Sequence, residues 1–334
     1  MAGGEFNPAD WDLRASAPAK INLGLEIVAR RADGYHDLRT VFQTVDLADD
    51  LYVRAAADGH LRLTVSGPEA VAGGEDNLVL RAARALAARS GSKRGAELHL
   101  HKRIPAGGGL GGGSSDAAAA LVALERLWGL DPDPELLRTL AVSLGADVPF
   151  FLMGGTARGE GRGEVLHRLP LMPAWGILLV LPEVRVSTAD AFALANIGLT
   201  ESRNRLKLLK LALSQNDLPG VVCHFVNDLE AAATRLEPGL DDIRREVEST
   251  LGPVCMTGSG SGFFALTPTR GEAEKLANSG RSPSADLPPD GLGNSRAIGQ
   301  SGDVSRSGVS ERYRLIASGP VATPARIVGD GAGD

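Results

Sequence analysis

The sequence predicts an α+β protein of two lobes, with its functional site in the cleft between them. Three observations support this fold class. Segments of alternating polarity, such as 97–102, indicate antiparallel strands with one solvated face. A glycine-rich segment at 105–116 leads directly into an alanine-rich helical segment. The second half mixes strands and helices again and contains a second glycine cluster at 258–262.

The elements of the first half follow from the positions of Gly, Asp and Pro. Strands are predicted over 13–17, 21–28, 38–46, 51–57, 61–66 and 96–102. Asp76 or Asn77 can cap a helix that runs to about residue 89. A helix over 115–128 follows the glycine segment, and Pro132 and Pro134 open a short helix that ends near Gly145.

The second half begins near residue 156, so we predict one domain over 1–155 and another over 156–334. Its predicted strands are 176–181, 253–257 and 262–266, and its predicted helices are 188–196, 203–214, 217–226, 238–251 and 270–277. Residues 278–311 are rich in Ser, Gly, Pro and Asp without any apolar period, which predicts a disordered insertion. The chain should rejoin the second lobe with a strand over 312–317.

Bulk composition excludes several classes of protein. The net charge of −6 disfavours nucleic acid as a partner. The first residues lack the basic and apolar regions of a secretory signal, and no apolar run approaches the ~20 residues that span a bilayer. Two cysteines provide no disulfide framework and indicate a reducing compartment. We therefore expect a cytoplasmic protein that acts away from membranes as a monomer or weak homodimer.

The glycine segment is the most informative part of the chain. It opens into a helix N-terminus, whose free amides and positive dipole end favour an anion, so we interpret it as a phosphate cradle. No Gly-Lys-Ser/Thr follows, which excludes the P-loop of NTPases. Gly107, Gly109 and Gly112 satisfy G-x-G-x-x-G, but the alternating strand before them is unlike the doubly buried first strand of a dinucleotide fold. A flexible linker is the remaining alternative.

Longer motifs carry a resemblance to a known family. Pro18-Ala-Lys-Ile-Asn-Leu23, the glycine segment and Gly258-Ser-Gly-Ser-Gly262 occur in the order found in the GHMP kinase superfamily, which phosphorylates small-molecule hydroxyls. Arg30-Arg-Ala-Asp-Gly-Tyr-His-Asp-Leu38 and Leu144-Gly-Ala-Asp-Val-Pro-Phe-Phe151 resemble those members whose acceptor is a cytidine diphosphate derivative. The resemblance covers about 14–276 and implies a two-lobed GHMP kinase fold, ATP as phosphoryl donor and Mg²⁺ as its counter-ion.

The same resemblance implies that Asp147 is the general base and that Lys20 is the cation beside it. Without the resemblance, Asp147 could equally be a helix-cap or turn residue, and Lys20 a solvated strand lysine. Strand alternation supports the site interpretation, because Lys20 and Asn22 share one face while Ile21 and Leu23 share the other. The resemblance implies substrate contact for Asn22 as well.

For the acceptor, the resemblance implies contacts from one exposed loop and several walls. Tyr35 would stack on the pyrimidine and His36 would hydrogen-bond its edge, with Phe42 and Phe192 as further walls. The alternative for the two phenylalanines is an ordinary core position. Thr188 could contact the same substrate or cap the helix 188–196, whereas for Ser187 we favour capping.

The residues implied to bind ATP are those of the cradle, together with two at the start of the first helix. They are Pro105, Ala106, Gly107, Gly108, Gly109, Leu110, Gly111, Gly112, Gly113, Ser114, Ser115, Asn77 and Leu78. Ser114 or Ser115 is available to phosphate or Mg²⁺, Asn77 could instead be a plain N-cap, and 258–262 should pack behind the cradle or form a tight hairpin turn. His99 and His101 share a strand face without a third ligand, so we predict no protein-built metal site.

Two rival functions remain open from the sequence. Another kinase of the superfamily, of homoserine or mevalonate type, is disfavoured by the Asp33-Gly-Tyr-His36 loop, because those substrates carry no cytosine. A non-catalytic nucleotide-binding sensor of the same fold is disfavoured by the presence of both Lys20 and Asp147.

Overall fold

The structure, a computed structural model, describes residues 6–57, 59–69, 71–195, 204–279 and 312–330. The predicted insertion 278–311 lies outside the described residues, apart from its first two residues. Those two residues complete a helix rather than leaving it, which corrects the predicted start of the insertion. The first residue of the helix predicted over 203–214 and the last of the helix predicted over 188–196 also lie outside the described ranges.

The described residues form eleven strands. They are β1 (Leu13–Arg30), β2 (His36–Ala56), β3 (Leu61–Ser66), β4 (Gly95–His101), β5 (Thr156–Gly161), β6 (Val165–Arg168), β7 (Gly176–Pro182), β8 (Cys255–Met256), β9 (Phe263–Thr267), β10 (Tyr313–Ser318) and β11 (Arg326–Asp330).

The same residues form ten α-helices. They are α1 (Leu78–Ser90), α2 (Gly112–Leu127), α3 (Pro134–Leu144), α4 (Val148–Met153), α5 (Thr188–Leu194), α6 (Arg205–Ser214), α7 (Leu218–Cys223), α8 (Glu230–Leu236), α9 (Gly239–Leu251) and α10 (Arg270–Ser279). No helix in the described ranges is both long and apolar enough to cross a lipid bilayer.

Two sheets organise the fold, in agreement with the predicted α+β class. The first has β11, β1, β2, β4 and β3 in this order, with β5 and β6 added beside β2. Its pairs are antiparallel except β3 with β4. The second sheet has the order β10, β7, β9, β8 and is antiparallel throughout. The first sheet includes three strands that follow residue 155, so the predicted domain division at that residue remains a prediction.

The long strand β1 joins what the sequence predicts as two strands. Pro18 lies inside it, and the pairing with β2 shifts register between Pro18 and Ala19. A proline cannot donate to the ladder, so the strand accommodates it at an irregularity rather than ending there. The predicted strands 38–46 and 51–57 are likewise parts of one continuous β2.

Successive parts of β1 belong to different hydrophobic cores. Ala15 and Ala17 pack with the helices α1 to α4 of the first lobe. Ala19, Ile21 and Leu23 pack in a second core that includes residues of β7, α6 and β9. Because side chains alternate along a strand, Lys20 and Asn22, which lie between the apolar positions of the second core, face the other side of β1, where both border a cavity between the lobes.

Several elements are absent from the sequence prediction. The strands β5, β6 and β11 and the helices α4 and α8 are among them. Helix α4 is an uninterrupted apolar run of six residues, which shows neither helical nor strand periodicity. Helix α2 begins at Gly112, three residues earlier than predicted, because the N-cap residue Gly111 adopts the left-handed conformation that turns the chain into the helix.

Candidate active site

A cavity of about 820 Å³ lies between the lobes, where the sequence predicts the site. Its walls come from β1, β2, the glycine segment, the first turn of α2, the start of α4 and α5, and the hairpin between β8 and β9. The cavity is the common meeting point of the segments that the sequence analysis singled out. Its volume is sufficient for drug-sized ligands.

The glycine segment forms one wall and needs glycine for steric reasons. Gly111 has φ +70°, and a Cβ there would stand 2.8 Å from the Phe151 ring. As the N-cap of α2 it also supplies no side-chain acceptor to the helix. The first-turn residues Gly112, Gly113 and Ser114 line the cavity. A helix N-terminus without a side-chain cap therefore opens into the cavity, which suits an anionic ligand.

The second glycine cluster packs directly behind the first, as predicted. The backbone N–H of Ser261 donates to Gly107 O over 3.2 Å. A Cβ on Gly109 would stand only 2.0 Å from the carbonyl oxygen of Thr257. The cluster is also the turn of the β8–β9 hairpin, so both of the interpretations proposed for it hold. Backbone approach this close is possible only between glycine-rich segments.

Lys20 and Asn22 lie side by side on the cavity face of β1. Lys20 Nζ donates to Asn22 Oδ1 over 2.6 Å, and Asn22 Nδ2 donates to Thr40 Oγ1 over 2.7 Å. The Lys20 side chain is 3% exposed and lies over the Phe42 ring. The relay of hydrogen bonds fixes the position of the ammonium group against the cavity.

Asp147 faces Lys20 across the cavity from a different element. Its Oδ2 lies 3.8 Å from Lys20 Nζ, and its side chain is 32% exposed. Burial lowers the pKa of Lys20, and the neighbouring Asp147 carboxylate opposes that shift. Two residues 127 positions apart in the chain thus form an ion pair that is open to a ligand on the Asp147 side.

The helix-cap alternative for Asp147 is answered by its hydrogen bonds. Asp147 occupies the N-cap position of α4, but its side chain makes no capping hydrogen bond. By contrast, Asp133 at the N-cap of α3 accepts from the N–H groups of Glu135 and Leu136. The Asp147 carboxylate is therefore not used for capping and is left to the cavity.

A buried cluster of charges below the glycine segment is missing from the sequence analysis. Lys102 Nζ donates to Asp116 Oδ2 over 2.7 Å and also contacts Asp49. Asp49 in turn accepts from the backbone N–H groups of Arg103 and Ile104. The charged residue Asp116 in the otherwise uncharged first turns of α2 is a sequence signal that could have indicated this cluster.

The pKa values of both Lys102 and Asp116 are raised within this cluster. Burial raises the pKa of Asp116, with Lys102 opposing and Asp49 adding to the shift. Burial lowers the pKa of Lys102, but the two carboxylates raise it by more, so its net shift is upward. The cluster links Lys102, the residue that follows β4, to Asp116 near the start of α2. Both residues line the cavity.

Two of the aromatic residues predicted to hold a pyrimidine, Phe42 and Phe192, lie in the cavity wall. Phe192 lines the cavity and stacks on His36 with ring centroids 5.5 Å apart. Phe42 is buried, stacks on Phe150 and lines the cavity too, so it is both a core residue and a wall. Burial lowers the pKa of His36, with the charge of Arg30 as the second cause.

Individual hydrogen bonds show which of the candidate residues cap helices. Ser187 Oγ accepts from the N–H of Asp190, which confirms it as the N-cap of α5. Thr188 Oγ1 instead lies 2.8 Å from Ser259 Oγ and lines the cavity. Asn77 Oδ1 accepts from the N–H of Val79, which makes Asn77 the N-cap of α1, while Asn77 and Leu78 both line the cavity.

The structure brings most of the predicted site residues into one cavity. Those that line it are Lys20, Asn22, Phe42, Asn77, Leu78, Pro105, Ala106, Gly107, Gly109, Leu110, Gly111, Gly112, Gly113, Ser114, Asp147, Thr188 and Phe192.

Four predicted residues lie outside this lining. Gly108 faces a neighbouring pocket on the far side of the glycine segment, because the positive φ values of Gly107 and Gly109 turn the chain on either side of it. Ser115 is fully buried inside the first turn of α2. Tyr35, which is exposed, and His36, which is buried, lie beyond the aromatic wall at the rim.

The oxygen atoms near the start of α2 are the ligands that this site has available for a cation. Among the described residues, no group of three or more His, Cys, Asp or Glu is arranged to hold a metal ion. His99 and His101 hydrogen-bond to Thr64 and Ser66. Two buried oxygens in the first turn of α2, Ser115 Oγ and Asp116 Oδ1, have no hydrogen-bond partner. A serine hydroxyl is a ligand that Mg²⁺ accepts, so the Ser115 hydroxyl fits this ion.

Comparison with known proteins gives consistent matches over most of the chain. Residues 77–155 match the family described as GHMP kinases N terminal domain, and residues 195–284 match GHMP kinases C terminal. The first match begins at the N-cap of α1 and ends just before β5, and it includes the glycine segment and Asp147.

Sequence relatives are more than 40% identical to this chain over the aligned residues. A 4-diphosphocytidyl-2-C-methyl-D-erythritol kinase from Pelotomaculum thermopropionicum is 41% identical over 267 residues, covering 79% of this chain and 92% of the relative. A kinase of the same name from Bordetella pertussis is 44% identical over 258 residues, covering 77% of this chain and 83% of the relative.

Solved structures give the same fold. A crystal structure of 4-(cytidine 5'-diphospho)-2C-methyl-D-erythritol kinase matches with a TM-score of 0.67 and 38% identity, covering 80% of this chain and 94% of that one. A homoserine kinase from Cytophaga hutchinsonii matches with a TM-score of 0.66 but only 21% identity, covering 84% and 91% of the two chains. The second likeness concerns the fold alone.

Proposed function

Because the chain belongs to the 4-diphosphocytidyl-2-C-methyl-D-erythritol kinases of the GHMP kinase family, we propose that it uses ATP to phosphorylate the 2-hydroxyl of 4-diphosphocytidyl-2-C-methyl-D-erythritol. This reaction belongs to the non-mevalonate route to isoprenoid precursors. The observation that carries the proposal is the pair formed by Lys20 and Asp147, which faces the glycine segment across one cavity.

The reaction needs a base at the acceptor hydroxyl. The Asp147 carboxylate makes no capping hydrogen bond and is open to the cavity, so it can accept the hydroxyl proton as the phosphoryl group is transferred. Lys20 holds that carboxylate in place and brings a positive charge to a position where negative charge develops. Asn22 keeps the ammonium group aimed at the cavity through its 2.6 Å hydrogen bond.

The phosphates of ATP bind at the glycine segment in this proposal. The uncapped start of α2 offers backbone N–H groups and the positive end of the helix dipole to the transferring group. Asn77 and Leu78 lie on the same cavity wall and would contact the adenine. The Asn77 side chain already caps α1 and also donates to Ala72 O, so Leu78 and the backbone would provide most of that contact.

The cytidine end of the acceptor binds beside Phe192 and the loop that carries Tyr35 and His36 in this proposal. Phe192 and Phe42 supply apolar walls, and Thr188 supplies a hydroxyl between them and the β8–β9 hairpin. Tyr35 is exposed at the rim, where its ring can close over a bound pyrimidine. Because its pKa is lowered, the His36 ring is neutral near pH 7 and can both donate and accept hydrogen bonds.

Mg²⁺ enters with ATP as its counter-ion in this proposal. When bound, the ion supplies positive charge to the phosphate oxygens. Ser114, which lines the cavity, and Ser115, whose hydroxyl has no hydrogen-bond partner, would be the hydroxyls that hold it. The sequence leaves open which of these two hydroxyls is used, and the proposal keeps both.

The rival functions are less well supported. The homoserine-kinase likeness is 21% identical, against 41% and 44% for the relatives named above, so a homoserine-type substrate is disfavoured. A non-catalytic sensor has no need for a buried lysine paired with a carboxylate that makes no capping hydrogen bond.

We further propose that the enzyme works in the cytoplasm as a monomer or weak homodimer. Its two free thiols, Cys223 and Cys255, support a reducing compartment.

The test is release of ADP with defined acceptors. We expect ADP to form with 4-diphosphocytidyl-2-C-methyl-D-erythritol and Mg-ATP, with the new phosphate on the 2-hydroxyl by ³¹P NMR. Methylerythritol 4-phosphate lacks the cytidine part and should give at least 100-fold lower kcat/KM, as should homoserine. Equal turnover of methylerythritol 4-phosphate would contradict the assigned acceptor, and no turnover of any acceptor would favour the sensor.

A further inference from the structure

Arg162 is a charged residue in the cavity wall that has no role in the mechanism above. It lies in the turn between β5 and β6, and its side chain is 30% exposed. Its guanidinium carbon lies 5.1 Å from the centroid of the Tyr35 ring. The cation therefore stacks on the aromatic residue at the rim while it also borders the cavity.

The guanidinium group of Arg162 is only weakly neutralised by the protein. Its nearest carboxylate is that of Glu164, with Nε 3.8 Å from Oε1, which is beyond hydrogen-bond distance. The other oxygen of Glu164 accepts from the backbone N–H of Arg162 over 2.7 Å, so this carboxylate mainly closes the turn. Asp33 also feels the Arg162 charge, but Asp33 is hydrogen-bonded to Arg31.

The turn that carries Arg162 lies between the two ends of the acceptor site. A Cβ on the next residue, Gly163, would stand 3.8 Å from Asp147 Oδ1 and 3.4 Å from the Phe42 ring. On its other side the Arg162 guanidinium touches Tyr35. Arg162 thus lies between the carboxylate that faces the reacting hydroxyl and the ring that closes over the pyrimidine.

The covalent order of the acceptor places its diphosphate at that same point. Its cytidine and its methylerythritol are joined through the diphosphate, so a molecule with its hydroxyl at Asp147 and its base near Tyr35 has two phosphates between them. A guanidinium presents a planar fork of N–H donors that matches phosphate oxygens. The chain carries a net charge of −6, so a dianionic linker needs a local cation.

We propose that Arg162 binds the diphosphate of the acceptor and that it makes the enzyme specific for a nucleoside diphosphate derivative. This inference rests on the proposed function, because it uses the orientation of the acceptor given there. Lys20 serves the hydroxyl end, and Arg162 serves the charged middle. Stacking on Tyr35 holds the guanidinium plane in place before the substrate arrives, which reduces the entropy lost on binding.

The test separates the diphosphate from the base. Binding of CDP and of cytidine is measured by calorimetry in the presence of saturating AMP-PNP and Mg²⁺, which keep the ATP site occupied. The proteins are the wild type, Arg162→Gln, Arg162→Lys and the matched control Arg138→Gln, whose arginine lies on the surface of α3 and pairs with Glu135. The KM values for the acceptor and for ATP are measured on the same proteins.

We expect Arg162→Gln to weaken CDP about tenfold, the effect of losing one charge-assisted hydrogen-bonded contact, and to change cytidine less than twofold. KM for the acceptor should rise by the same factor while KM for ATP stays within twofold. Arg162→Lys should recover part of the loss, and Arg138→Gln should behave as the wild type.

Three results would overturn the inference. Unchanged CDP binding in Arg162→Gln would remove the contact, and equal weakening of CDP and cytidine would show that Arg162 acts only by supporting Tyr35. A rise in KM for ATP equal to that for the acceptor would assign Arg162 to the donor instead. Failure of the proposed function gives a different pattern, because the wild type would then not turn over the acceptor, whereas Arg162-dependent binding of CDP would still support the diphosphate contact.

Discussion

Replacement of Asp147 by asparagine should remove catalysis and preserve the fold. The substitution keeps the size and shape of the side chain, and asparagine is as good an N-cap residue as aspartate. Asp147 makes no capping hydrogen bond in any case, so α4 loses nothing from its first turn. What is lost is the proton acceptor at the acceptor hydroxyl and the negative charge 3.8 Å from Lys20 Nζ.

The size of the effect follows from these two losses. A missing general base costs about 10²–10⁴ in kcat, or about 3–5 kcal/mol of barrier. The ion pair would be worth about 4 kcal/mol at 3.8 Å in a medium of effective dielectric constant about 20. Because the Asp147 side chain is 32% exposed, solvent screening reduces this to about 1 kcal/mol of folding stability. Without the Asp147 carboxylate, nothing opposes the burial that lowers the pKa of Lys20, so that pKa should fall further.

The assay is ADP release under saturating substrates, with stability measured by urea unfolding. Both KM values should stay within a few-fold, because the residue acts in the transition state rather than in binding. Asp133→Asn is the matched control, since Asp133 also precedes a helix with proline in its first turn but does cap it. It should leave kcat unchanged. A kcat for Asp147→Asn within threefold of the wild type would refute the assignment of the base.

Three further predictions concern the rim, the buried charges and the glycine segment. Tyr35→Ala should raise KM for the acceptor by about 5- to 150-fold and leave KM for ATP unchanged, because one base–aromatic stack is worth about 1–3 kcal/mol. Since Tyr35 is exposed, we expect a value at the lower end of that range. An equal change in KM for ATP would contradict the assignment of Tyr35 to the pyrimidine. Burial raises the pKa of Asp116 above its ordinary value of 3.8, so above about pH 4 there is a range in which the folded state holds a proton that the unfolded chain has released. The free energy of unfolding contributed by this group therefore falls as pH rises through that range. Asp116→Asn should therefore flatten the dependence of the unfolding free energy on pH, measured by urea unfolding from pH 5 to 9, whereas parallel curves for the two proteins would show that Asp116 does not titrate there. Gly109→Ala should destabilise the protein by more than about 2 kcal/mol, because a side chain at φ +71° costs about 1–2 kcal/mol and its Cβ would also clash with Thr257 O. In the control, Gly271→Ala in α10, the new Cβ meets no atom within 4 Å and should stabilise the protein by about 0.5–1 kcal/mol. Similar urea midpoints for the two variants would refute this steric argument.

Local sequence determined the features that depend on neighbours in the chain. The glycine segment opens into a helix because glycine alone tolerates the positive φ at Gly111 and the alanines that follow are strong helix formers. Lys20 and Asn22 share a face because strand side chains alternate. Asn77 and Ser187 cap helices because their side chains reach the first free N–H groups. Family motifs then assigned roles to the residues that these local rules had placed.

Local rules failed where a residue's conformation is set by something distant. Strand β11 is short and lies near the end of the chain, and it exists because it pairs with the edge of β1 about three hundred residues earlier. Pro18 reads as a strand terminator, yet the pairing of β1 with β2 continues past it through a register shift. Helix α4 has no polar face, since it is buried against the first core on its apolar residues.

The chemistry of the site was decided by tertiary structure in the same way. Sequence could name Lys20 and Asp147 but could not bring them within 3.8 Å of each other, because that distance depends on how α4 packs against α2 and how α2 packs against β1. It gave no indication that Lys102 would be buried between Asp49 and Asp116, or that Arg162 would stack on Tyr35. A local pattern sets the face on which a side chain lies, whereas burial and charge pairing depend on segments far away in the chain, and these decide which groups titrate, pair or remain free for a substrate.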